Sequence, residues 1–222
     1  MQRIQRIAFL LQRLEYNVFI AGTPTDLFRV TRGLLPNLVL LDMRMPHYEG
    51  AECIVRFRED KLLDIIKIVV MGERDEEPIL QEAIRKGAQG IVHRPINPTE
   101  LYTTIHNLIE PNPRQSLRLR LIFKANVATK SGATSYFATT LSDKGLFIRT
   151  NEPLPVGENV KIRLELPNVS PFDYPGEVAY HTKADRNEFR ESGMCILFQD
   201  IPVEQSNELR KFIENCLTGE TG

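Results

Sequence analysis

Arg114 and Arg118, four residues apart, precede the stretch Thr140-Leu-Ser-Asp-Lys-Gly145, which runs directly into the apolar segment Leu146-Phe-Ile148. Guanidinium groups present forked donors that match phosphate oxygens and flat faces that stack on planar rings. A turn containing Ser142 and Gly145 offers backbone N–H groups and a close approach. Together these residues suit a planar ligand that carries phosphate. From Pro111 to Ser142 there are five basic residues and no acidic one, which places such a site in a positive local field.

The rest of the composition narrows the possibilities. A chain of 222 residues holds one large or two ordinary domains, and 42% hydrophobic with 26% charged residues is the balance of a globular protein with real cores. A net charge of −1 argues against a general nucleic-acid binder. No apolar run approaches the ~20 residues of a membrane span. The basic N-terminus leads into a periodic segment, so neither a membrane span nor a signal peptide is expected. Cys53, Cys195 and Cys216 are far apart, and His47, His93, His106 and His181 are scattered without metal-ligand spacing. No metal is expected, the thiols suit a reducing cytoplasm, and with no Ser/His/Asp order or nucleophile elbow visible no enzyme is expected.

The arginines and the turn need a frame, and the first half of the chain supplies an alternating one. Ile4, Ile7, Ala8, Leu11 and Leu14 recur at helical spacing over residues 2–15. Val18-Phe-Ile-Ala21 reads as a short buried strand. Thr23-Pro-Thr-Asp26 is a capped helix start, with Gly33 as its end. Leu38-Val-Leu-Leu41 is a continuous apolar strand of the parallel-sheet kind. A helix from Gly50 to Arg58 follows, then a strand at Ile66–Met71, a helix between Asp75 and Gly87, a strand at Gly90–His93, and a helix capped by Asn97. The alternation predicts a doubly wound α/β sheet.

Val39-Leu-Leu-Asp42-Met-Arg-Met-Pro46, Gly50, Gly87-Ala88 and His93-Arg94-Pro95 resemble the receiver domain of bacterial response regulators, over about residues 1–110. The resemblance implies that Asp42 stands at the phosphoacceptor position. It also implies two acidic residues on a first strand, a hydroxyl residue on the fourth and a lysine before the proline. This chain opens on the first helix, has Met71 at the hydroxyl position and has Arg94 at the lysine position. The expectation is a pseudo-receiver that lacks the first strand, binds no Mg²⁺ and is not phosphorylated, with Asp42 a vestigial phosphoacceptor. The strands left unpaired could close on each other or be filled by a partner chain, as in a homodimer through this domain. Alternatively, the true start lies upstream.

Pro111-Asn-Pro113 marks a linker. Beyond it, alternating or apolar runs at Leu119–Thr129, Ser135–Leu141, Leu146–Thr150, Val160–Leu166, Gly176–His181 and Gly193–Phe198 predict a small six-stranded antiparallel barrel. Thr182–Arg190 reads as a hairpin loop. From Val203, an amphipathic helix carries Leu209, Phe212, Ile213, Cys216 and Leu217 on one face. The organisation expected is 1–110 receiver-like, 111–118 linker with the arginine pair, and 119–218 barrel with its helix.

Arg114-x-x-x-Arg118, Ser142-x-x-Gly145-Leu-Phe, Gly157-Glu-Asn-Val160 and Gly193-Met-Cys-Ile-Leu-Phe198 resemble the PilZ domain, a family of cyclic di-GMP receptors. The resemblance implies that Arg114 and Arg118 grip the phosphates and stack on guanine, while the turn with Thr140, Ser142 and Gly145 reads the other side. The family carries Asp or Asn where this chain has Thr140. A carboxylate accepts both guanine donors and a hydroxyl only one, a loss of about 1–3 kcal/mol. The implied function is a cyclic di-GMP-sensing adaptor that relays its state to a signalling partner protein. The alternative is a PilZ-fold scaffold that binds no nucleotide.

Overall fold

Alternation of helix-start signals with short β-branched runs is what builds the first half of this chain. The computed structural model describes residues 2–44, 50–111, 116–184 and 191–219, and divides the chain into two units, Met1–Gln115 and Ser116–Gly222.

In the first unit the elements are α1 (Gln2–Arg13), α2 (Pro24–Leu34), β1 (Leu38–Asp42), α3 (Gly50–Glu59), β2 (Lys67–Glu73), α4 (Glu77–Arg85), β3 (Gly90–Arg94) and α5 (Pro98–Ile109). The caps form as their residues dictate. Thr23 Oγ1 accepts the Asp26 N–H at 3.1 Å, and Asn97 Oδ1 accepts that of Glu100 at 2.9 Å. Gly33 does not end α2, however. It lies within the helix, and Leu35 takes the left-handed cap position with φ of 45°, its N–H bonded to the Thr31 carbonyl.

The sheet is parallel and three-stranded, in the order β1-β2-β3. Ile68 and Val70 of β2 point to one face, where Cys53, Ile54 and Phe57 of α3 and Leu80 and Ala83 of α4 join them in one core. Val69 points to the other face, where α5 approaches so closely that a Cβ on Gly90 would meet Thr104 and Val69. Helices on both faces explain why β2 reads as an unbroken apolar run.

Val18–Ala21 is not a buried strand. It pairs with nothing among the described residues, and Phe19 and Ile20 are 62% and 51% exposed. A strand of this length is held by a ladder neighbour, and the sheet ends at β1, which bonds to β2 alone. Apolar composition without a partner leaves an extended segment.

The second unit is a closed antiparallel barrel. Its strands are β4 (Leu119–Thr129), β5 (Gly132–Ser142), β6 (Gly145–Arg149), β7 (Asn159–Leu164), β8 (Asp173–Thr182) and β9 (Gly193–Phe198), in the order β4-β5-β6-β9-β8-β7. Alternate side chains fill it: Ala125, Val127, Ala138, Leu141, Leu146, Ile148, Ile162, Val178, Met194 and Ile196 are fully or nearly fully buried. Helix α6 (Val203–Thr218) buries Leu209, Phe212, Ile213 and Leu217, the stripe its spacing announced. Closure leaves no open edge in this sheet, so its outward side chains form the outer surface of the barrel.

Candidate ligand-binding face

Register across the barrel brings one set of outward residues into a row. Arg120 of β4 stands opposite Thr140 of β5, Thr140 opposite Phe147 of β6, Phe147 opposite Cys195 of β9, and Cys195 opposite Tyr180 of β8. Directly opposed residues on one face of a sheet are side-chain neighbours. The residues expected to bind a ligand thus meet others that the sequence did not single out.

Arg114 lies outside the described residues. Arg118 is exposed, while its neighbours Leu117 and Leu119 are buried, so alternation turns the guanidinium outward. Its charge reaches Cys195 of that row. Burial pushes the Cys195 thiol up, while a hydrogen bond with Tyr180 and the Arg118 charge act in the opposite direction. Among the described residues no carboxylate forms an ion pair with Arg118.

The turn at 142–145 is stiff. Ser142 Oγ donates to the Gly145 carbonyl at 3.1 Å and accepts the Lys144 N–H at 3.2 Å, so the serine shapes the turn itself. Asp143 is buried and accepts from Arg210 of α6, with Nη2 at 2.7 Å, tying the turn to the terminal helix. Gly145 is required by close approach: a Cβ there would stand 2.3 Å from the Ile196 carbonyl oxygen of β9. The backbone that a ligand would approach is therefore first approached by a neighbouring strand.

Phe147 is laid flat on the barrel. A Cβ on Gly193 would lie 2.7 Å from its ring, so the glycine makes room for the ring to rest against the β9 backbone. A bulge in β5 sets both Thr139 and Thr140 opposite Phe147. Glu191, just before β9, accepts from Thr139 Oγ1 at 3.0 Å and lies 3.8 Å from Arg149 Nη1. Its carbonyl accepts from Thr182 Oγ1 at 2.6 Å. A cation, an aromatic plane, hydroxyls and a carboxylate on one open surface can hold a phosphate and pair with the edge of a planar base. The outward parity of Phe147 was readable from Leu146-Phe-Ile148. Glu191 left no sequence signal, because only the strand order brings it to β5.

In the first unit, Asp42 ends β1 and pairs in register with Met71 of β2. Both its oxygens are taken. Oδ2 accepts from Arg94 Nη2 at 2.5 Å and Oδ1 from the Arg44 N–H at 3.0 Å. Arg94 reaches across β2 with its side chain only 10% exposed, against 19% for Asp42. Arg44 in turn pairs with Glu76 at 2.6 Å and lies 3.9 Å from Glu73. The hydrogen bond from Arg44, then the Glu73 N–H, hold the Glu76 carboxyl below its ordinary range. Among the described residues no three His, Cys, Asp or Glu side chains converge as a metal site.

Comparison with known proteins separates the same two halves. The response regulator receiver domain model matches residues 2–106, and the PilZ domain model matches residues 112–215. The chain is 33% identical over 99 residues to the cyclic di-GMP phosphodiesterase response regulator RpfG of Xanthomonas campestris pv. campestris, covering 43% of this chain and 25% of that protein. It spans less than half the length of the curated relatives it matches. A receiver domain structure from Bermanella marisrubri is similar at 27% identity and a TM-score of 0.45, covering 49% of this chain and 91% of that one. The structure of YcgR in complex with c-di-GMP from Escherichia coli is similar at 12% identity and a TM-score of 0.41, covering 48% and 47%.

Proposed function

From a chain in which residues 2–106 are a response regulator receiver domain and residues 112–215 a PilZ domain, we propose a cytoplasmic adaptor that senses cyclic di-GMP and acts through protein–protein contacts. The observation that carries this reading is the outward row of Arg120, Thr140, Phe147, Cys195 and Tyr180, with the exposed Arg118 just before β4 and its charge reaching Cys195. Arg118, joined by Arg114, grips the phosphates and stacks on a base. Phe147 offers a second plane. Ser142 and Gly145 hold the turn against β9 so that its backbone is presented in one shape, and Thr140 offers a hydroxyl beside it.

The receiver domain serves as a contact module and not as a phosphoryl acceptor. Phosphoryl transfer to a carboxylate needs a free oxygen and a divalent cation to offset charge. The residues around Asp42 do not fit that cation: Arg94 occupies Oδ2, the Arg44 N–H occupies Oδ1, and Glu73 and Glu76 face Arg44. A guanidinium already supplies the positive charge that a metal would bring. The output then lies in surfaces that a partner protein reads, with ligand charge pairing at the arginines as the switching event.

A second reading, a PilZ-fold scaffold without nucleotide, is favoured by one residue, Thr140 in place of an acid or amide. Calorimetric titration of cyclic di-GMP into wild type and Arg118→Ala separates the two. Binding by wild type that weakens at least tenfold in the variant supports the receptor; equal heats in both leave the scaffold.

A further inference from the structure

Guanine presents two adjacent donors, N1–H and the 2-amino group, and a carboxylate is the side chain that accepts from both at once. Thr140 offers a single hydroxyl. The acid that the face needs stands next to it, on a different element. We propose that Glu191 is the guanine-recognising residue of this site, a proposal that rests on the cyclic di-GMP reading above and names the group that makes it selective.

Three contacts fix where Glu191 points. Its main-chain carbonyl accepts from Thr182 Oγ1, which ties the backbone at 191 to the end of β8. Its Oε2 accepts from Thr139 Oγ1, so the side chain runs across β6 toward the β5 bulge. Its Oε1 lies near Arg149 Nη1, two residues beyond Phe147 and on the same outward parity. The carboxylate is thus held over the outer face beside the two threonines that oppose Phe147.

The neighbouring ring supplies the other half of base recognition. Phe147 rests against Gly193, two residues after Glu191, so the ring and the carboxylate adjoin on the outer face. Glu191 is 46% exposed, and a carboxylate has about four lone-pair directions. Thr139 uses one and Arg149, at 3.8 Å, is an ion-pair neighbour, so among the described residues oxygen positions stay open to a ligand. Arg149 keeps the carboxylate from facing the ligand's phosphates as an uncompensated charge, while Arg118 takes the phosphates themselves. Aromatic plane, adjacent acid and flanking arginines form one guanine-reading surface drawn from β5, β6 and the entry to β9.

The test is a set of calorimetric titrations of the full chain with cyclic di-GMP and cyclic di-AMP, whose adenine lacks both donors. Wild type, Glu191→Gln, Glu191→Ala, Thr140→Asp/Glu191→Ala and Arg118→Ala are compared at one ionic strength. The expected result is a tenfold or greater loss of cyclic di-GMP affinity in Glu191→Ala with no change toward cyclic di-AMP. Glu191→Gln falls between, and Thr140→Asp recovers affinity in the Glu191→Ala background. If Glu191→Ala binds cyclic di-GMP as wild type does while Arg118→Ala does not, Glu191 is not the acceptor and the receptor reading stands. If wild type and Arg118→Ala are alike, the receptor reading falls and the role of Glu191 falls with it.

Discussion

The Arg94 guanidinium lies 2.5 Å from the Asp42 carboxylate although the two residues end strands that a third strand separates. Arg94 passes over Met71, an apolar residue that offers the carboxylate no hydrogen bond, and its length lets it bridge from β3 to β1. Asp42 and Arg94 thus form an ion pair across the strand ends.

Breaking this pair from one side leaves a half-buried carboxylate without its partner. Arg94→Met is expected to lower the stability of the first unit by about 1–3 kcal/mol, and Asp42→Asn in the same chain to return much of that loss. A double-mutant cycle by chemical denaturation measures the coupling; strictly additive single effects would contradict it.

Acetyl phosphate with Mg²⁺ is expected to leave wild type unmodified, because the oxygen that would attack is hydrogen-bonded and no acidic cluster among the described residues is placed to hold the metal. Intact-mass spectrometry reads this directly. A phospho-adduct mapped to Asp42 would show that the pair opens readily.

Arg118→Ala is expected to weaken cyclic di-GMP binding tenfold or more, since a charge-assisted contact contributes about 1.5–3 kcal/mol. The wild-type affinity should also fall as salt rises, and less steeply in the variant. Titrations at two ionic strengths check both, and parallel salt slopes would argue against a phosphate contact.

Tyr174 is buried in the barrel with its hydroxyl lacking a hydrogen-bond partner among the described residues. Burial, then the nearby Glu208, push its pKa from an ordinary 10.0 to about 12. The folded state then keeps a proton that the unfolded chain releases, so this contribution is intact below about pH 10 and is lost as pH rises toward 12. Tyr174→Phe should change stability little at neutral pH, by about 1 kcal/mol at most, and should flatten the alkaline decline. Thermal unfolding across pH 8–12 tests it, and an unchanged alkaline slope would count against the assignment.

Gly145→Ala must separate β6 from β9, because the added methyl meets the Ile196 carbonyl oxygen. A loss of about 2–4 kcal/mol is expected in the barrel unit, together with weaker ligand binding. A variant as stable as wild type would mean the strands part at little cost.

Periodicity and capping residues were enough to identify an α/β half followed by an antiparallel barrel, and the amphipathic face of α6; they act through contacts within a few residues. The same local information misplaced two features. Val18–Ala21 has strand composition, yet strands exist by pairing, and the sheet ends at β1. Gly33 suggested a helix end, yet the chain continues to Leu35 before it turns. Of the proposed ligand face, Arg118, Thr140, Ser142 and Gly145 stand out in the sequence because they lie in two short motifs. Phe147 was legible only in parity. Glu191, Cys195 and Tyr180 were not, because barrel closure in the order β5-β6-β9-β8 makes neighbours of residues some fifty positions apart. Likewise Asp42 and Arg94 were each noticed alone, but their pairing depends on β2 lying between them at a distance one arginine can span. Local sequence determines which segments become strands and turns. Which side chains share a surface is decided by strand order and register, and those follow from burying whole elements against one another.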